Sequence, residues 1–149
     1  MELVDKIGSV LDRKGRDIWS VAPDTSVYDA IALMSEKQVG ALLVLSEGGL
    51  IGIISERDYA RKVILQGKSS KHIQVREIMT SPVVSVTPDA TIDECMRIMT
   101  TRRIRHLPVL ESERVSGMIS IGDLVKWIIS AHEQPIQDLH SYIAGTYPR

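Results

Sequence analysis

Only one cysteine, Cys95, occurs in the 149 residues, so no intramolecular disulfide can form. No Cys/His grouping has the spacing of a zinc site, and His72, His106, His132 and His140 are scattered; no metal is expected to be required. Aromatic residues make up 4% of the chain, few for the stacking platforms on which single-stranded nucleic acid binds. One sign of charge hardly exceeds the other: eighteen Lys plus Arg against nineteen Asp plus Glu leave −1. No general field therefore draws the chain to nucleic acid or an anionic membrane. No apolar run approaches the roughly 18 residues of a membrane span, and Glu2 and Asp5 stand where a signal peptide would be basic and then apolar. A cytoplasmic protein is the expectation. The 44% hydrophobic and 25% charged residues that are present suit one compact core or two small repeats.

A duplication sets the architecture. Shifted by 65 positions, Val21–Arg61 aligns with Val86–Lys126 without a gap, and eleven of the forty-one pairs are identical. They include Pro23/Pro88, Asp24/Asp89, Met34/Met99, Gly52/Gly117, Ser55/Ser120 and Asp58/Asp123. In each copy a capping box, Ser26/Asp29 or Thr91/Glu94, opens a helix. Val27, Ala30, Ile31 and Met34, or Ile92, Cys95, Met96 and Met99, then form its apolar face. Two short apolar runs around a polar turn follow, at Ser46 to Gly49 and Glu111 to Arg114, and read as hairpins. A second helix is expected over Asp58 to Leu65, with Gly67 as its left-handed cap, and over Asp123 to Ile129.

The expected fold class is α+β: two β-α-β-β-α repeats packed sheet to sheet about a pseudo-two-fold. Repeat one would span 7–67, repeat two 73–131, and a tail over 132–149 would form a short helix opened by Pro135. A three-stranded sheet leaves one face bare, and the sister repeat is the nearest surface to cover it. That symmetry creates two clefts. The stripe of Leu3, Ile7, Val10 and Leu11 ahead of repeat one is expected to pack on its own domain or to meet a partner chain.

The segments Gly52-Ile53-Ile54-Ser55-Glu56-Arg57-Asp58 and Gly117-Met118-Ile119-Ser120-Ile121-Gly122-Asp123, with Val-x-Pro-Asp twice and Arg105-His106-Leu107-Pro108-Val109, resemble tandem CBS domains, named from cystathionine β-synthase. The resemblance runs from about Ile7 to Ala131 and implies a non-catalytic module that binds an adenine nucleotide between its repeats, AMP before ATP, ADP or NAD. Asp58 and Asp123 would accept from the paired hydroxyls of a ribose. Ser55 and Ser120 stand at strand-to-helix junctions that favour phosphate. The resemblance brings Arg57 to phosphate, where its counterpart Gly122 cannot reach, and likewise Arg105 and His106, matched by Gly40 and Ala41. Contacts to the base would come from Lys14, Ile18 and Trp19 in repeat one and Thr80, Pro82 and Val84 in repeat two.

Read from the residues alone, Ser-x-x-Asp is equally a helix cap that needs no ligand, and Cys95 reads as an inert core thiol. The family pattern implies a homodimer through helices at Val27–Met34, Tyr59–Leu65 and Leu124–Ile129, and a protein target met in trans. Two other functions remain open. One is a dimerising scaffold with vestigial or constitutively filled clefts. The other is a nucleotide hydrolase, against which stands the absence of a recognisable nucleophile, metal cluster or P-loop.

Overall fold

The computed structural model describes residues 4–131; Leu3 and the helix expected beyond Pro135 lie outside them. A leading helix α1 (Ile7–Lys14) precedes the short strand β1 (Ser20–Val21), helix α2 (Val27–Lys37), hairpin β2 (Ala41–Ser46) and β3 (Gly49–Ser55), and helix α3 (Glu56–Tyr59). The second half repeats this with α4 (Ile92–Arg102), β4 (His106–Glu111), β5 (Arg114–Ser120) and α5 (Ile121–Ala131).

The duplication holds in the hydrogen bonding. β1 runs parallel to β2, Val21 opposite Val44, and Val86 bridges Val109 in the same sense. Both hairpins change register at the same step, Val44/Leu45 and Val109/Leu110. The first strand of repeat two is reduced to that one bridge, and Pro108 is the reason. Leu43 donates its N–H to Trp19 O, whereas Pro108, at the corresponding place, has no N–H to give to Val84.

The caps depart from expectation. Ser26 and Thr91 each accept from the N–H three residues on, at 3.1 Å, but the reciprocal carboxylate bonds are not made; complete boxes form instead at Ser55/Asp58, Ser120/Asp123 and Gln74/Glu77. The helix expected over Asp58 to Leu65 starts at Glu56 and passes at Ala60 into a π turn that runs to Ile64. Its counterpart α5 stays α-helical throughout.

The cores are exchanged between halves. Ile7, Val10 and Leu11 are buried with Ile92, Cys95, Leu107, Ile119 and Leu124 of repeat two, and Ile7 and Gly8 donate their N–H groups to Ala90 O and Pro88 O. In return Val75 and Ile78 are buried with Val27, Leu42 and Ile54 of repeat one, where Val75 N donates to Thr25 O at 2.8 Å. The leading stripe therefore neither packs on its own repeat nor waits for a partner. At about 1.5–3 kcal/mol for each large apolar side chain buried, the exchange ties the halves together. It is pinned at two glycines: a Cβ on Gly117 would lie 2.6 Å from Leu11 Cδ2, and one on Gly52 would lie 2.5 Å from Met79 Sδ. Strands β3 and β5 meet across the pseudo-two-fold, the expected sheet-to-sheet docking.

Candidate functional site

Both candidate carboxylates stand in the first turn of a helix, mostly buried, with 13% (Asp58) and 16% (Asp123) of the side chain exposed. Asp58 Oδ2 accepts from Ser55 N at 2.9 Å and Ser55 Oγ at 3.1 Å. Asp123 Oδ2 accepts from Ser120 N at 2.8 Å. One oxygen of each is thus engaged in capping. The serines are committed too, since their Oγ atoms accept from the Asp58 and Asp123 N–H groups. Two acceptor positions remain on Asp123 Oδ1 and, beside Lys62, one on Asp58 Oδ1. Each carboxylate also holds a lysine: Lys62 Nζ lies 3.1 Å from Asp58 Oδ1 and Lys14 Nζ 2.6 Å from Asp123 Oδ2.

The core exchange carries straight into the clefts. Lys14 ends α1, in the leader of repeat one, yet its ammonium reaches Asp123 and the carbonyl of Met118 in repeat two. Thr80, in the leader of repeat two, pairs with Ile53 of β3 in repeat one, N to O at 2.9 and 3.1 Å. Each cleft is therefore made from the leader of one repeat and the strand ends and helix of the other. The Asp123 cleft gathers Lys14, His106 and Ser120; the Asp58 cleft gathers Ser55, Lys62 and Thr80.

The electrostatics of the Asp123 cleft follow from that meeting. Burial would raise the Asp123 carboxyl, but the bonds from Lys14 and Ser120 outweigh it and hold it below its ordinary value. His106 is pushed below its ordinary 6.5 first by burial, then by Lys14 and Arg105, against the opposing pull of Asp123. The cleft thus presents a carboxylate, an ammonium and a neutral imidazole at pH 7.

The other candidates are dispersed. Gly40 opens the strand-two turn against the His106 ring, its Cβ position 3.4 Å from Cε1, with the Glu56 carboxylate 3.2 Å away; Ala41 next to it is buried. Arg57 crosses between repeats and donates to Arg103 O at 3.1 Å. Ile18 and Trp19 lead into β1, and one face of the Trp19 ring is taken by Lys37 Nζ, 4.4 Å from the centroid. Val84 packs against the repeat-two core, and Pro82 is exposed. Lys62 and the Met118 carbonyl were missed in the sequence. Lys62 was readable, four residues after Asp58 on one helix; a backbone carbonyl leaves no such signal.

A hollow of about 260 Å³ opens beside Asp123 between α1 and α5, lined by Val10, Arg13, Lys14, Lys126, Trp127 and Ser130. A larger one, about 540 Å³, lies at Ser85–Ala90 and Ser112, away from both carboxylates. No group of three or more His, Cys, Asp or Glu among the described residues could hold a metal ion.

A family model described as CBS domain matches residues 8–64 and again 75–130. The chain belongs to the CBS domain family, as a tandem pair, a regulatory module whose members often bind adenosine-containing ligands. It is 42% identical over 151 residues to the mitochondrial CBS domain-containing protein CBSX3 of Arabidopsis thaliana, covering 95% of this chain and 73% of that protein. A solved structure of a protein with CBS domains from Burkholderia ambifaria is 50% identical, with a TM-score of 0.82 over 85% of this chain and 95% of that one. The CBS domain pair of protein MJ0100, solved with 5′-methylthioadenosine and S-adenosyl-L-methionine, shares the fold at 23% identity and a TM-score of 0.76, over 87% of this chain and 99% of that one.

Proposed function

We propose that this chain is a non-catalytic adenylate sensor that takes AMP in a cleft between its repeats, works as a homodimer and passes the occupied state to a protein target in trans. The observation that carries the reading is the make-up of the Asp123 cleft. An ionised, mostly buried carboxylate for a sugar diol stands there beside an ammonium that could neutralise phosphate and an imidazole able to take up a proton. The adenosine derivatives held by the MJ0100 pair support the same ligand class. The remaining candidates keep the roles that the family resemblance implies: Arg105 and His106 toward phosphate, Ile18 toward the base. Exposed Tyr28, Ile64 and Leu65 on the helices of repeat one supply an apolar face for a second copy of the chain. The reading is set in the cytoplasm, although the Arabidopsis relative is mitochondrial by name, so cell fractionation belongs among its tests.

The deciding experiment is a titration with AMP, ADP, ATP, NAD and S-adenosylmethionine, read by calorimetry and thermal shift, on protein first freed of bound small molecules and those molecules identified by mass spectrometry. At one hundred times its Kd, AMP should add about 2.7 kcal/mol of stability. A chain that ignores every ribose-bearing compound offered is a dimerising scaffold instead. That second reading has its own support, since both carboxylates are capped and ion-paired with no ligand needed.

A further inference from the structure

We infer that the two clefts differ in access, so that one adenylate binds per chain, at Asp123, and the Asp58 cleft is closed by the leader of repeat two. This rests on the adenylate reading and goes a step past it. Ile53 and Met118 are counterparts, opposite Leu43 and Pro108 in the two hairpins, and each turns its peptide groups toward the leader from the other half. At Ile53 both groups are taken by backbone: Ile53 N donates to Thr80 O and Thr80 N to Ile53 O, at 3.1 and 2.9 Å. The counterpart of Thr80 is Gly15, which ends α1 at a φ of 103°. No backbone bond from that leader reaches Met118 among the described residues; its carbonyl is met by a side chain, Lys14 Nζ at 2.6 Å.

A side-chain strap reinforces the backbone pair on the Asp58 side. Lys62 Nζ bonds to Ile78 O at 2.8 Å as well as pairing with Asp58, so it spans from the π turn to the leader. The residue at its place in repeat two is Trp127, which donates to Asp5 Oδ2 instead. Opening the Asp58 cleft would break a paired strand edge and this strap together. Opening the Asp123 cleft breaks no backbone pair among the described residues; it asks side chains of that leader to move, chiefly Lys14 from Asp123 and Met118 O, with Arg13 on Ser130 and Arg16 on Ser116 beside it. A nucleotide offers that lysine a phosphate in exchange, while its diol takes the carboxylate.

Calorimetry with AMP on the full chain, combined with hydrogen–deuterium exchange, tests this. In the free chain the Met118 amide should exchange faster than that of Ile53, by roughly tenfold or more. AMP should bind with a stoichiometry of one and slow exchange across Met118–Ser120, leaving Ile53–Ser55 unchanged. Asp123→Asn should lose at least tenfold in AMP affinity while melting cooperatively. Two AMP per chain, protection at Ile53–Ser55, or wild-type affinity in Asp123→Asn each overturns the inference and leaves the adenylate reading standing. No binding at all overturns both.

Discussion

The exchange of leaders between the repeats makes a quantitative demand on Leu11 and Gly117, which are 106 positions apart and belong, by sequence, to different halves. Leu11 is fully buried, and truncation to Ala should cost about 2–5 kcal/mol through lost transfer energy and the cavity left behind. Gly117→Ala places a methyl 2.6 Å from Leu11 Cδ2 and 3.0 Å from Cδ1, so the leucine must shift. Overpacking of this kind costs about 1–3 kcal/mol, less the roughly 0.4–1 kcal/mol by which Ala narrows the unfolded ensemble. In the double variant the new methyl enters the space that Leu11 vacated. The second substitution should then be neutral or stabilising, with a coupling energy of about 1–2 kcal/mol. Urea unfolding of the four proteins measures it; in melting temperature, each kcal/mol corresponds to about 2–4 °C for a chain of this size. Additivity within about 0.5 kcal/mol would refute the exchange, because helix α1 packed on its own repeat leaves these residues out of touch.

Three further outcomes follow from single groups. His106 is held neutral in the folded chain, below its unfolded value of 6.5, so the unfolded state binds more protons and stability is lost as pH falls from about 6.5 to the folded value. Bound phosphate beside Lys14, Arg105, Asp123 and Glu56 would raise the imidazole, so AMP affinity should climb over that window while adenosine affinity stays level. A flat AMP profile removes His106 from the phosphate end. The turn Ser112-Glu113 holds two non-glycine residues at φ 50° and 65°. Replacing the pair by Asn-Gly, suited to a two-residue hairpin turn, should gain about 0.5–1 kcal/mol, and a lowered melting temperature would contradict it. The Cys95 thiol is pushed up to about 11 by burial and by Glu94, so it should resist disulfide reagents in the native chain at pH 8 and react on unfolding; prompt stoichiometric labelling would contradict that.

The parts of this molecule that could be read from its residues are those set by local periodicity and by the repeat. Hairpins, helix faces and both carboxylates follow from patterns that recur at one offset. Even the shortened first strand of repeat two was legible in principle, since Pro108 stands where Leu43 donates. The leaders were not, because the alignment begins only at Val21: Lys14 faces Met79 at the shared offset, yet it is Leu11 that covers Gly117. A helix of eight residues in one leader and a 3₁₀ turn at Val75–Glu77 in the other reach equivalent glycines by different routes. The Lys14–Asp123 pair bridges 109 positions, and nothing local at either end announces it.

That pair also bounds how a bound ligand could be felt elsewhere. Lys14 sits on the one helix that belongs to repeat one by sequence and to repeat two by packing, so drawing it away from Asp123 acts on the joint between halves. A partly exposed pair carries about 1 kcal/mol or less after solvent screening, whereas useful coupling between sites is about 1–3 kcal/mol. The lysine is therefore too small a lever alone, and the remainder must come from a surface whose own packing differs between the two states. Among the described residues every large exposed apolar side chain, Val4, Trp19, Tyr28, Ile64 and Leu65, lies in repeat one or ahead of it. With the nucleotide at Asp123, as inferred above, the carboxylate comes from repeat two, so sensing and listening would fall on opposite halves, and α1 with the Gly15–Trp19 segment is the stretch that would carry one to the other.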